Sequence, residues 1–378
     1  AHAFLPQVIA QGAAAVVVDR EPENLSVPAL VVADTKIALG EIAQAWRRQF
    51  SLPVIAVTGS NGKTTVKEMI ASILCAAFGE DAYLSTRGNL NNEIGVPLTL
   101  QRLNAQHKAA VIELGMNHPG EIALLSKIAQ PTVALVNNAQ REHQEFMVSV
   151  DAVAEENGAV ILALTGGVAV FPADDEYTKL WRAYAEKAAA TCLTFGFSED
   201  ADVRYTYQQN AFGSDLEVGI HGSAQGQRFS VRLQAAGEHN VRNALAAIAC
   251  ALAIKNVDVA AIKKGLEAFT PFSGRLQRKS AQRANCVGAV VIDDTYNANP
   301  DSVRAAIDVL AQTPAPRLLV LGDMGEVGDQ GKQFHQEIGA YAKQHGITDF
   351  FTLGALAMDA SAVFGFMVYL FEIFDGLF

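Results

Sequence analysis

An alternation of apolar runs and helical patterns constrains this chain most. Runs of strand length occur at 54–58, 110–114, 133–137, 168–171, 192–195, 290–293, 318–321 and 350–353, and helical patterns follow at 62–77, 120–128, 176–190, 302–311 and 333–344. Strand then helix, repeated, is the signature of a parallel sheet covered by helices. Between 202 and 233 the rhythm changes to short alternating runs, VRYTYQQN, DLEVGIHG and QRFSVRL, joined by polar turns. That change predicts an antiparallel insertion at one sheet edge. After FTPFSGRLQR, residues 269–278, the strand and helix rhythm restarts, and the Pro, Gly and Ser there mark a linker.

The stretch VIAVTGSNGKTTVKEM, residues 54–69, sets a β-branched apolar run against a glycine-rich turn and a helix-forming segment. A turn of this kind holds phosphates: its backbone N–H groups face inward, and the following helix points its positive end at the anion. Gly59 and Gly62 permit the turn, Lys63 can reach terminal phosphates, and the hydroxyl of Thr64 or Thr65 can ligate Mg²⁺. The GxxxxGK[ST] pattern asks for glycine where Val57 stands. An ordinary strand-to-helix turn reading GKT is the bland alternative.

The predicted class is therefore α/β. A central P-loop ATPase-like, mostly parallel sheet with an antiparallel edge insertion occupies 34–272, and a Rossmann-like α/β unit occupies 273–378. Residues 1–33 are expected to form part of a further α/β domain. AHAFLPQVIAQGAAAVVVDREP reads as one helix and one strand without upstream partners, as if the chain began inside a domain. The segment 363–378, VFGFMVYLFEIFDGLF, lacks a helix stop and a polar face. It reads as a truncated end, with an amphipathic membrane or partner-binding tail and a buried terminal helix as alternatives.

Composition narrows the partners. A net charge of −11 argues against a general nucleic-acid binder, which carries a basic surface, yet leaves small anionic ligands open. Cys75, Cys192, Cys250 and Cys286 show no CxxC spacing and read as reduced, small hydrophobes of a cytoplasmic protein. No secretory signal and no apolar run of membrane-spanning length is visible, so no membrane association is expected.

The form TGSNGKTT resembles the Mur ligases and their relatives the folylpolyglutamate synthases. STRGNLNNEIGVPLTL (85–100), AVIELGMNHPGEI (110–122), ALVNNAQREHQEF (134–146), GEHNVRNALAA (237–247), DDTYNANPDS (293–302) and LGDMGEVG (321–328) place it with the Mur ligases. Within them they resemble the branch that joins D-alanyl-D-alanine to a UDP-N-acetylmuramoyl-tripeptide. The resemblance implies an ATP-dependent, ADP-forming peptide ligase of cytoplasmic peptidoglycan precursor synthesis, monomeric, using ATP and Mg²⁺ through an acyl phosphate. A folylpolyglutamate synthase-like ligase and a catalytically incomplete nucleotide-binding fragment are the alternatives. Residues 1–33 would then be the remnant of a UDP-substrate-binding domain.

The resemblance also assigns residues. Lys63, Glu113 and His143 are implied as catalytic, with Thr64, Glu113 and His143 around metal. Glu113 ends a strand, at the edge where open α/β sheets bind ligands; a solvated strand-end glutamate is the alternative. For His143 the alternative is support behind the metal ligands. Gly59, Asn61, Gly62, Lys63, Thr64 and Thr65 would hold the phosphates, and Asn240 and Asn243 the adenine. Arg275 would meet the phosphates from the linker, and Asp294 and Tyr296 would cover the nucleotide, Asp294 near the ribose. Thr86, Asn91 and Asn92 would face the UDP-substrate, and Asn297 and Asn299 the reacting groups. Asn91 could instead cap a helix, Arg275 could be an exposed linker residue, and Asn299 before Pro300 is also a turn and N-cap signal. Asp323 and His335 would orient the amine or add only surface polarity.

Three departures stand out. Asn157 falls where many Mur ligases carry a carbamylated lysine, so a second metal would be held otherwise, with Glu155 or Glu156 nearby. The family's N-terminal domain begins before residue 1, and a C-terminal KGSR-type segment for the dipeptide is absent.

Overall fold

The computed structural model describes residues 2–142, 145–210, 213–221, 227–281 and 288–365. Helix α1 (Leu5–Ala10) leads into β1 (Val16–Val18) and β2 (Ala29–Val31), which pair in parallel as a two-stranded sheet. Helix α2 (Thr35–Arg47) follows, its first N–H groups capped by Asp34.

The centre is a nine-stranded sheet. Its strands are β3 (Val54–Thr58), β4 (Tyr83–Ser85), β5 (Ala109–Glu113), β6 (Val133–Val136), β7 (Val168–Pro172), β8 (Thr191–Gly196), β9 (Val203–Asn210), β10 (Gly213–Ile220) and β11 (Gln227–Leu233). Their order is β11-β10-β9-β8-β7-β6-β3-β5-β4. From β4 to β9 neighbours run parallel, and β9, β10 and β11 form the expected antiparallel edge.

Every residue of β3, β5 and β6 is buried, because helices cover both faces. On one face lie α3 (Lys63–Phe78), α8 (Glu238–Leu252) and α9 (Val259–Ala268), through Met69, Ile73, Leu245 and Leu266 among others. On the other lie α2, α4 (Gly95–Leu100), α5 (Glu121–Ala129), α6 (Val150–Leu162) and α7 (Thr178–Lys187), with Trp181 fully buried among them. After β3 the chain crosses to the edge strand β4, comes back to β5 beside β3, then passes to β6 on the other side of β3 and continues that way. The crevice between the carboxyl ends of β3 and β6 is thus a topological switch point, where α/β sheets receive ligands.

Beyond residue 276 come β12 (Gln277–Ser280), β13 (Val290–Asp293), α10 (Pro300–Ala311), β14 (Leu318–Gly322), α11 (Gly331–Gln344), β15 (Asp349–Leu353) and α12 (Ala357–Phe364). Strands β14 and β15 pair in parallel, as the rhythm predicts, and α10, α11 and α12 share a core around Ile307, Phe334, Ile338 and Phe364. Strand β13 differs: it pairs antiparallel with β12, a polar QRKS segment that gives no apolar signal in the sequence. Helix α10 starts two residues before the predicted 302, because Asn299 and Ser302 close a reciprocal capping box around Pro300. Cys75, Cys192 and Cys250 are free thiols; Cys286 and residues 366–378 lie outside the described residues. Among the described residues no helix is long and apolar enough to cross a membrane.

Candidate active site

Strand β3 delivers the chain to Gly59–Ser60–Asn61–Gly62 at the switch point, and α3 begins at Lys63. Gly62 sits at φ 81°, and a Cβ there would lie 2.8 Å from the amide nitrogen of Asn137 and collide with the Asn243 side-chain oxygen. Only glycine fits. The loop is braced from behind by the segment after β6. Asn138 Oδ1 accepts the Asn61 N–H at 2.9 Å, and Asn137 and Asn138 donate to the Asn61 carbonyl at 2.8 and 3.0 Å. Gly59 N–H donates to Asn157 Oδ1 at 2.8 Å.

Lys63 Nζ donates to the Gly59 carbonyl and to the Ser60 carbonyl at 3.1 Å, and pairs with Glu142 Oε2 at 3.3 Å. The amine curls over its own loop, with a buried carboxylate as counter-ion. Thr64 Oγ1 lies 3.4 Å from Glu113 Oε1 and 3.4 Å from Arg275 Nη2, so three parts of the chain converge on one hydroxyl. Thr65 is half-buried beside it.

Glu113, 2% exposed, accepts from Asn91 Nδ2 at 2.9 Å through Oε1, while Oε2 is buried without a hydrogen-bond partner. A solvated strand-end glutamate, the alternative raised above, does not describe this group. A buried carboxylate oxygen left unpaired is expensive, and this carboxylate, with the Thr64 hydroxyl near its other oxygen, offers oxygen donors that suit a hard divalent cation. Thr86 Oγ1 accepts the Glu113 N–H at 3.0 Å. Asn92, not Asn91, takes the helix-start role: its Oδ1 accepts from Ile94 and Gly95 at 3.2 and 2.9 Å at the start of α4.

Asn240 and Asn243 are buried on α8, and their amides are engaged inward. Asn243 accepts from Asn137 at 2.9 Å and donates to Asn240 at 3.3 Å, and Asn240 donates to the Ala236 carbonyl at 2.8 Å. Arg275 is no free linker residue: its guanidinium lies 4.1 Å from the Tyr296 ring centroid, and its Nε is buried without a partner. Asp294 accepts the Leu276 N–H at 3.1 Å, and burial pushes its carboxyl up to about 6. Asn297 is exposed and accepts from Ala298 at 2.9 Å. Asn299, besides capping α10, donates to Asn61 Oδ1 at 2.8 Å and so ties that helix to the glycine loop.

His143 lies outside the described residues. Glu156 is committed elsewhere, since both its oxygens accept from Gly120 and Ile122 at 2.8 Å at the start of α5, and Glu155 is exposed. The acid beside Asn157 is Glu142, whose Oε1 lies 3.4 Å from Asn157 Nδ2. His335 is fully buried: its Nδ1–H donates to the Gly331 carbonyl at 2.7 Å and its Nε2 accepts from Met324 at 3.0 Å. Asp323 accepts from Ala355 and Ala357 at 3.1 and 2.7 Å. Both are tied into the carboxyl-terminal unit. Asn137, Asn138, Gln140, which accepts from Asn61 Nδ2 at 2.7 Å, and Glu142 also brace the loop; the NNAQRE stretch carries them, but nothing in its spacing marks them as site residues.

The Mur ligase middle domain matches residues 57–251, and the Mur ligase glutamate ligase domain matches 274–366. The chain belongs to the Mur ligase family. The UDP-N-acetylmuramoyl-tripeptide--D-alanyl-D-alanine ligase of Haemophilus influenzae is 42% identical to this Mur ligase over 343 residues, 90% of this chain and 72% of that protein. A crystal structure of MurF from Acinetobacter baumannii superposes with a TM-score of 0.86 at 39% identity, covering 95% of this chain and 76% of that one. MurF ligase from Thermotoga maritima, solved in complex with ADP, gives a TM-score of 0.80 at 25% identity, covering 95% and 80%.

Proposed function

We propose that this chain is an ATP-dependent peptide ligase that adds D-alanyl-D-alanine to UDP-N-acetylmuramoyl-tripeptide through an acyl phosphate, in peptidoglycan precursor synthesis. The observation that carries the reading is the convergence of Thr64, Glu113 and Arg275 at the mouth of a phosphate-holding loop. The named relatives supply the substrates and the nucleotide. A cytoplasmic, monomeric enzyme fits this reading, as does the division into 1–33, 34–272 and 273–378.

The difficulty of the reaction is to bring a carboxylate against a triphosphate, two anions. The Gly62 backbone and the start of α3 would cradle the phosphates, with Asn61, held by Asn137 and Asn138, fixing the shape of the loop. Lys63 would leave the Gly59 and Ser60 carbonyls and Glu142 for the terminal phosphate, and Arg275, braced by Tyr296, would approach the same oxygens from the other unit. Thr64 and Glu113, with His143, would hold Mg²⁺, which when bound adds positive charge over the phosphate oxygens. Asn157 cannot be carbamylated and gives its oxygen to Gly59. The peptide carboxylate then attacks the γ-phosphorus and ADP leaves. The amine of D-alanyl-D-alanine adds to the acyl phosphate carbonyl, loses a proton, and inorganic phosphate departs as the amide forms. Asn91 would fix the substrate side against Glu113, and Thr86, Asn92, Asn297 and Asn299 would line its approach. Asp294 would lie near the ribose; Asn240 and Asn243 would reach the adenine only by giving up part of their inward chain.

Phosphate release from ATP in the presence of UDP-muramoyl-tripeptide plus D-alanyl-D-alanine, set beside a folate plus glutamate, tests the reading. Release with the first pair alone is expected. Release with the folate pair, or with neither, contradicts it.

A further inference from the structure

Among the described residues, the largest charged side chain with no exposure at all is Lys67, one helical turn beyond Lys63 on α3. A buried ammonium is expensive unless it is paired and hydrogen-bonded, so its partners say what it is for. Lys67 Nζ pairs with Glu68 and donates to the Thr86 carbonyl at 3.0 Å. Thr86 is itself 1% exposed and continues the edge strand β4 against β5, its N–H donating to the Val111 carbonyl at 3.1 Å. The Thr86 hydroxyl accepts the Glu113 N–H at 3.0 Å. A continuous path therefore runs from the helix behind the glycine loop, through one buried amine, to the backbone of Glu113 and to the start of the Asn91 segment.

Resting on the proposed function, we infer that Lys67 is a positioning residue: it locks Thr86, and through it Glu113 and the 86–92 segment, to the nucleotide-loop helix. The geometry favours this over a stabilising role. A residue kept only to fill this space could be apolar and would not have to desolvate a charge. Lys67 is too buried to touch a ligand, so any effect on substrate must pass through Thr86. The two sides of the reaction centre, nucleotide on α3 and carboxylate donor along 86–92, thereby share one fixed distance.

The test is Lys67→Met on the full chain, with three readouts. Thermal stability is expected to fall modestly, because the buried Thr86 carbonyl loses this donor while Glu68, 33% exposed, stays hydrated. Amide hydrogen exchange is expected to quicken at Glu113 and along 86–92 while α3 and α8 keep their protection. Turnover with the muramoyl substrate is expected to fall by on the order of 100-fold, the loss expected for a misplacement of about 1 Å, with ADP affinity unchanged. Lower stability with uniform loss of protection and of ADP binding would reduce Lys67 to a structural residue, and unchanged exchange at Glu113 would overturn the proposal outright. Should Lys67→Met not fold, Thr86→Val, which keeps the carbonyl that Lys67 holds but removes the hydroxyl that accepts the Glu113 N–H, must quicken exchange locally at Glu113; unchanged exchange there, or a uniform loss of protection, overturns the proposal. The exchange readout needs no turnover, so a chain without ligase activity would sink the proposed function while the exchange result still decides the role of Lys67.

Discussion

At the scale of residues, the site divides into groups that chemistry marks in advance and groups that only packing reveals. Gly62, Lys63 and Thr64 stand out in the sequence because a phosphate loop asks for those types at that spacing. Lys63→Ala is expected to abolish substrate-dependent phosphate release while leaving the circular dichroism spectrum unchanged; a variant that keeps most of its activity would remove Lys63 from the site. Asp294 carries a pH signature. Its carboxyl is raised from 3.8 to about 6 by burial, so the folded state holds that proton more tightly than the unfolded chain does. The contribution is fully present below 3.8 and is lost as pH rises through about 6. The stability of Asp294→Asn relative to the parent should therefore climb across that interval, and parallel melting curves for the two proteins would contradict the assignment. Asn137, Glu142 and Lys67 were not legible as site groups, because an amide, a carboxylate or an amine becomes meaningful only when folding sets it against Gly62, Lys63 or Thr86.

At the scale of elements, strands buried on both faces announced themselves as continuous apolar runs, and the structure has β3, β5 and β6 where those runs lie. Strand β12 did not, since QRKS presents polar side chains and joins β13 through its backbone and the Lys279–Asp293 ion pair. Helix starts depended on side-chain caps reached across space: α5 is capped by Glu156, which is brought from the middle of α6. Glu156→Ala leaves two N–H groups at that helix start unsatisfied and is expected to destabilise the fold by about 2 kcal/mol. Chemical denaturation reads this directly, and an unchanged midpoint would mean that water replaces the carboxylate at no loss.

At the scale of the whole molecule, the two units that the sequence separates at 269–278 are held together by a few charged contacts. Arg141, in the loop after β6, forms a bidentate pair with Glu337 at 2.9 and 3.1 Å and also grips Asp301 at the start of α10. Burial alone would lower its basicity, yet these two carboxylates hold it above the usual arginine range. Asn61 meets Asn299, and Thr64 meets Arg275, across the same join, so under the proposed function a closed arrangement of the two units would complete the site. Arg141→Ala is expected to shift small-angle scattering toward a more open shape and to weaken turnover; an identical profile would mean that the closed arrangement needs no latch. The Arg141 latch was not readable beforehand, because residues 141, 301 and 337 meet only across the finished interface, whereas Arg275 and Asn299 already stood out as groups facing the reaction. The central claim is that ATP activates a peptide carboxylate as an acyl phosphate, and a heavy-oxygen label on that carboxylate tests it most directly. With both substrates and ATP present, mass spectrometry should find one labelled oxygen in the released phosphate and one in the new amide. Phosphate released without label would contradict the account.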